Sequence, residues 1–168
     1  MVAISLAMPF LEASEVEIVS ERGISFDSER AEVVWRGPLT INYQGWAVAS
    51  PQSATGYFDR ILRKKGESYK LSAQPRSIVL PGPYEAAGSA TKVKGQLLVW
   101  IAAEKELRAV GPTTRVKMQG QWSRPDEATA IAVLGPGGEI SLKGAWKLTK
   151  LAEGGSGKAE TTSDQPSK

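Results

Sequence analysis

The sequence contains neither cysteine nor histidine among its 168 residues. Without them the chain cannot form a disulfide, a Cys/His zinc site, or a cysteine or serine nucleophile that works with histidine. Catalysis would have to use carboxylates, lysine or tyrosine. We therefore expect a protein that is not an enzyme and holds no metal and no cofactor; a carboxylate-based hydrolase is the remaining catalytic alternative.

Long hydrophobic runs are also missing, and none reaches the length of about 18 residues that a membrane span needs. The N-terminal run MVAISLAMPFLEA has no basic residue before it, since the first one is Arg22, so it does not fit a signal peptide. Its apolar residues alternate with small ones, which predicts a strand or docking arm over residues 1–12. We expect no membrane partner, and a location in the cytoplasm or in a particle assembled inside the cell.

Strand-like patterning fills most of the remaining chain. Apolar residues alternate with polar ones, and Val, Ile, Thr, Trp and Tyr recur. The segments are 15–20, 31–36, 39–49, 76–80, 92–102, 114–122 and 139–151. Gly- and Pro-rich stretches such as LPGPYEAAGS at 80–89 separate them and are typical of turns. The sequence predicts a single β-rich domain over residues 1–151, all-β and mainly antiparallel, built as a β-sandwich or a β-barrel.

Two segments depart from the strand pattern. In TGYFDRILRKKG the apolar residues Tyr57, Phe58, Ile61 and Leu62 share one helical face, which predicts one short helix around residues 56–65. Residues 152–168 contain no large apolar side chain. They cannot offset the entropy of ordering by burial, so we expect a disordered polar tail.

Two motifs look like sites but have simpler explanations. GPGG at 135–138 precedes a strand-like segment, whereas a phosphate-binding glycine loop needs a helix at that point. We interpret it as a hairpin turn between a strand ending at Leu134 and one starting near Glu139. Ser89 and Lys92 have the S-x-x-K spacing, but the serine leaves a glycine-rich loop and does not begin a helix, so we attribute the match to chance.

Charge is divided unevenly along the chain although the net charge is only +3. Residues 1–50 hold three basic and seven acidic residues, whereas 51–151 hold sixteen and eight. Outward basic positions and tryptophans form a candidate surface for a nucleic-acid backbone with stacked bases. Its residues are Arg60, Arg63, Lys64, Lys65, Lys92, Lys94, Arg115, Lys117, Trp46 and Trp122. The favoured alternative is a solvated lysine face that keeps sheet edges from pairing.

Two functions from different classes fit these observations. The leading hypothesis is a non-catalytic structural or interaction protein, a subunit of a larger oligomeric assembly such as a virion. It follows from the absence of a catalytic constellation, the apolar arm and the opposite charges of the two parts, which suit contacts between copies or with other protein subunits. The alternative is a small β-barrel that binds a ligand or single-stranded nucleic acid.

Overall fold

The structure is a computed structural model that describes residues 16–62, 69–72 and 74–149. The predicted N-terminal arm and C-terminal tail lie outside these residues. Sixteen strands are described: β1 (Val16–Ser20), β2 (Ile24–Asp27), β3 (Glu32–Trp35), β4 (Leu39–Tyr43), β5 (Trp46–Ser50), β6 (Ala54–Tyr57), β7 (Arg60–Leu62), β8 (Tyr69–Leu71), β9 (Ser77–Ala87), β10 (Thr91–Ile101), β11 (Glu106–Val110), β12 (Arg115–Met118), β13 (Gln121–Pro125), β14 (Ile131–Leu134), β15 (Ile140–Lys143) and β16 (Trp146–Thr149).

Fourteen strands form one antiparallel ladder, while β7 and β8 pair separately as a hairpin. The ladder folds into two layers because the long strands β9 and β10 run through both of them. Layer A has the order β2-β3-β6-β9-β10-β11-β14-β15. Layer B has the order β1-β4-β5-β9-β10-β12-β13-β16. The predicted all-β, mainly antiparallel fold is confirmed, in its sandwich form.

The β9-β10 hairpin changes layer where its pairing is irregular. The register shifts between Gly95 and Leu97, and Leu97 pairs with Pro81 of β9. Proline donates no hydrogen bond to a ladder and is tolerated at such a bulge. The predicted turn over 80–89 is therefore wrong in most of its length: β9 continues through Pro81 and Pro83, and the turn begins only after Ala87.

The predicted helix around residues 56–65 is also wrong in its described part. Residues 54–57 belong to β6, which pairs with β3 on one side and β9 on the other, and β7 follows from Arg60. The Phe58 N–H donates to the carbonyl of Ala31, 2.9 Å away. Ladder partners distant in sequence outcompete a local helical pattern too short to be stable alone. Positions 63–65 lie outside the described residues.

Because side chains alternate between the two faces of a strand, every second side chain points toward the space between the layers. In β4, Leu39, Ile41 and Tyr43 are buried while the residues between them are exposed, and β5 repeats the pattern from Trp46 to Ser50. Layer A contributes buried residues such as Leu98 and Leu107 from β10 and β11. The core therefore lies between the two layers, and each layer also has an outer face.

Candidate functional site

An apolar pocket lies in the core between the layers. About 200 Å³ of space without atoms, counted together with space open to solvent, lies among its side chains, and none of it is wide enough for a water molecule. It is lined by aliphatic side chains and one tryptophan: Val16, Ile41, Ile78, Leu80, Leu98, Trp100 and Leu107.

Both layers build this pocket, but unequally. The registers of β9, β10 and β11 place Ile78 opposite Trp100, and Leu107 beside Trp100, on the inner face of layer A. Layer B covers them with Ile41 from β4 and Val16 from the edge strand β1. Because β1 pairs only with β4 among the described strands, one wall of the pocket ends at a sheet edge.

Several polar groups are buried near the core without a hydrogen-bond partner among the described residues. They include the indole N–H of Trp100, a pocket residue, and the hydroxyls of Tyr84 and Thr114. Burial raises the pKa of the Tyr84 hydroxyl well above its ordinary value, and the nearby Thr114 side chain opposes this increase only in part. An unpaired buried donor such as the Trp100 indole N–H is a place where a ligand's carbonyl oxygen would be stabilised.

One end of the space between the layers is closed by direct contacts. The Trp46 indole N–H of layer B donates to the carbonyl of Gly135 in layer A at 3.0 Å, and the Tyr43 hydroxyl donates to the Lys105 carbonyl at 2.9 Å. GPGG is thus the turn between β14 and β15, and Leu134 pairs with Ile140 as the sequence indicated. Trp46, proposed from the sequence as a binding residue, is only 2% exposed and does not lie on the surface.

The other candidate binding residues divide between separate places. Lys92 and Lys94 of β10, Arg115 and Lys117 of β12, and Trp122 of β13 come together on the outer face of layer B. Arg60 lies apart from them on β7, and positions 63–65 lie outside the described residues. Two further cations of the same outer face, Arg124 and Lys147, are directly opposite each other in β13 and β16. Arg124 was not included in the candidate surface predicted from the sequence, although the alternation after Trp122 places it outward.

Within the described part of the chain, no group of three or more acidic side chains is placed to hold a metal ion. Among the carboxylates that form ion pairs, Glu104 and Glu106 pair with Arg108, and Asp126 pairs with Lys147. Lys92 is exposed on β10, with Ser89 in the turn before it.

No protein-family model matches the chain, and no curated protein matches it significantly. Among solved structures it is similar to LptH of Pseudomonas aeruginosa, described as the LptA-homologous periplasmic component of the conserved lipopolysaccharide transport device. The TM-score is 0.51, the sequence identity 12%, and 90% of each chain is covered. The two chains share a fold. It is a β-jellyroll-like architecture, in which long strands pass through two facing layers.

This similarity corrects the function predicted from the sequence. The expectation of a virion-type structural subunit in an oligomeric assembly is wrong, and so is the alternative of a barrel that binds nucleic acid. The shared fold is that of a lipopolysaccharide-transport component. The sequence could not distinguish these classes, because an all-β pattern with outward lysines is common to all of them.

The structural neighbour is described as one component of a larger transport device, and protein partners stay a prediction for this chain. Among the helices of the described residues, none is long and apolar enough to cross a membrane.

Proposed function

We propose that this protein is a lipid carrier that holds the acyl chains of an amphipathic lipid, of the lipopolysaccharide class, between its two β-layers. The binding is non-covalent and no chemical step is involved. The observation that supports it most directly is the pocket between the layers, which is lined by apolar side chains. Each methylene group that leaves water for such a site contributes about 0.8 kcal/mol.

The layers must separate for a lipid to enter, because the pocket has no room for a water molecule as it stands. Edge strands supply the entry. Phe26 of β2 and Leu148 of β16 are 55% and 74% exposed, although their registers place them on the inner faces of the layers. The inner apolar surface therefore extends beyond the region where the two layers cover each other. Contacts at the closed end, such as Trp46 to Gly135, hold the layers together while the open edges part.

The Trp100 indole N–H gives the pocket one hydrogen-bond donor. It is buried and has no partner among the described residues. An ester or amide carbonyl at the head of an acyl chain accepts such a hydrogen bond. The site is thus suited to acyl esters and amides more than to plain hydrocarbons.

A plug in the pocket tests this proposal. Val16 faces the pocket from β1, whereas Val19 of the same strand is 50% exposed and lies opposite Thr40, on the outer face. We expect Val16→Trp to occupy space that an acyl chain needs when the layers separate, and to weaken binding of a fluorescent fatty-acyl probe about tenfold, equal to the lost burial of about two methylenes.

Val19→Trp is the matched control, because it adds the same side chain to the same strand outside the pocket, and it should bind the probe like the unmodified protein. Thermal unfolding of both variants establishes that each is folded. Equal probe binding by Val16→Trp and the unmodified protein would mean that acyl chains do not occupy this pocket.

We further propose that the protein partners are other components of a lipid-transport system. The exposed inner-face residues Ile24 and Phe26 of β2, and Leu148 of β16, form apolar edges that suit a protein contact for lipid transfer. Replacing Phe26 and Leu148 by serine should lower the transfer of bound acyl probe to acceptor protein or vesicles. Unchanged transfer would argue against this role of the edges.

A further inference from the structure

The outer face of layer B carries a dense group of cations, which we call the basic platform. Six basic residues surround Trp122 on four neighbouring strands, β10, β12, β13 and β16. They are Lys92, Lys94, Arg115, Lys117, Arg124 and Lys147. The nearest carboxylate on the neighbouring strand β9 is Glu85, which lies opposite Lys94. This face looks away from the acyl-chain pocket, so it is a second and separate surface.

Three pairs within the platform place like charges directly opposite each other in the ladder. Lys92 faces Lys117, Lys94 faces Arg115, and Arg124 faces Lys147. Directly opposed like charges destabilise an antiparallel pair. A carboxylate in each pair would make the fold more stable. The repeated arrangement of like charges therefore indicates a function that needs positive charge here.

The outer faces of the two layers differ in how many of their cations form ion pairs. On the outer face of layer A, Arg108 and Lys143 both contact Glu106, at 2.6 and 3.3 Å. On the platform, Lys147 contacts Asp126 at 2.5 Å, but Lys92, Lys94, Lys117 and Arg124 form no ion pair with the described residues. Protection of sheet edges does not explain this, because β10 and β12 each pair on both sides.

Trp122 lies in the middle of these charges. The Lys94 and Lys117 ammonium groups lie 4.7 and 5.8 Å from the centre of its ring. These cation-π contacts keep both amines over an amphipathic aromatic ring. A half-buried tryptophan ring among cations is suited to the boundary between charged headgroups and apolar chains.

We propose that the basic platform binds the surface of an anionic phospholipid membrane. Charge complementarity carries the assignment: one sheet face with several cations, most of them without an ion pair among the described residues, matches the phosphates of an anionic lipid surface. Single-stranded nucleic acid fits less well, because its binding uses several free aromatic faces. Here Trp46 is buried, and lysines contact the ring of Trp122. Membrane binding would hold the protein where its lipid is collected or delivered, but does not depend on the acyl-chain pocket.

Flotation with vesicles tests the proposal. We expect the protein to float with phosphatidylcholine vesicles that contain phosphatidylglycerol, and not with phosphatidylcholine alone, with binding that weakens as salt is added. Lys92→Gln with Lys117→Gln should weaken binding about thirtyfold, because each basic residue near such a surface contributes about 1 kcal/mol. The same variant should unfold at a higher temperature, since it removes an opposed like-charge pair, so lost binding would not reflect lost folding.

Arg22→Gln with Arg36→Gln is the matched control, since it removes the same charge from exposed positions off the platform. It should retain vesicle binding. Equal loss in the control would mean that net charge alone drives binding, and absent binding to anionic vesicles at low salt would also overturn the proposal. If duplex or single-stranded DNA displaces the protein from vesicles at equal phosphate concentration, the platform is a polynucleotide surface instead. The acyl-probe assay reports separately on the pocket, so either proposal can fail alone.

Discussion

At the scale of single residues, burial decides the chemistry of Tyr84. Its side chain is only 2% exposed, on β9 near the point where the strand changes layer. The hydroxyl has no hydrogen-bond partner among the described residues. Removing this hydroxyl breaks no hydrogen bond and leaves the aromatic ring in place. It therefore has little effect on the free energy of unfolding at neutral pH.

Alkaline unfolding measures this burial. The pKa of Tyr84 is raised in the folded protein by burial, so above about pH 10 the unfolded chain loses the proton while the folded one keeps it. The folded state then loses stability as pH rises, by up to about 1.4 kcal/mol per pH unit. We predict that Tyr84→Phe changes the free energy of unfolding by less than about 1 kcal/mol at pH 7 and lessens its decline above pH 10. Denaturant titrations at several pH values check this, and parallel declines in both proteins would contradict it.

The sequence predicted single residues well where alternation alone decides their direction. Lys92 and Lys94 of β10, and Lys117 of the neighbouring strand β12, were placed outward and lie on one face. The prediction from the sequence was wrong for Trp46, because the residues near it in sequence do not indicate that the turn containing Gly135 covers its side chain. That contact joins positions 89 residues apart, a separation that a local pattern does not encode.

At the scale of elements, three turns meet at the closed end of the molecule. The β14-β15 turn contacts the β4-β5 turn, where the Gly138 N–H donates to the Gln44 carbonyl at 3.3 Å. It also contacts the β9-β10 turn so closely that a Cβ atom on Gly88 would lie 2.6 Å from the Gly138 carbonyl oxygen. Glycine at position 88 therefore permits the layers to join.

This contact can be tested with two glycine substitutions. We predict that Gly88→Ala destabilises the protein by about 2 kcal/mol, since backbone must move to admit the methyl group. Gly135→Ala is the control, because its Cβ would meet nothing closer than 3.7 Å and its backbone is extended. It should leave stability unchanged or raise it by up to about 1 kcal/mol. Chemical denaturation measures the free energy of unfolding of both variants. A smaller loss of stability for Gly88→Ala than for Gly135→Ala would refute the close approach of the two turns.

The sequence predicted that most elements are strands, but not always where each strand begins and ends. The strand pattern predicted over 139–151 is confirmed for residues 140–143 and 146–149, while 150 and 151 lie outside the described residues. The segment contains two strands in different layers, because Gly144 has a positive φ of 85° and turns the chain between them. The helical pattern over 56–65 failed because β3 and β9 offered β6 a ladder on both sides. In each case, hydrogen bonds to distant strands decided the outcome, and these are not visible in a local window.

At the scale of the whole molecule, the two layers separate two chemistries. The space between them is apolar and closed at one end, whereas the outer face of layer B is basic. A carrier of an amphipathic anionic lipid needs both surfaces. The apolar space would hold the acyl chains, and the basic face would bind headgroups at the membrane. The sequence predicted the outward basic face, but the pocket depends on how two layers meet across the chain and was not predicted.

Fluorine NMR with a spin-labelled lipid tests most directly whether acyl chains lie between the layers. The protein has five tryptophans, which can be labelled with 5-fluorotryptophan and assigned by single Trp→Phe variants. Trp100 lines the pocket and Trp122 lies on the basic platform. With a nitroxide near the end of the acyl chain, we predict that the Trp100 signal broadens and the Trp122 signal does not. Broadening of Trp122 alone, or of neither signal, would contradict acyl-chain binding between the layers.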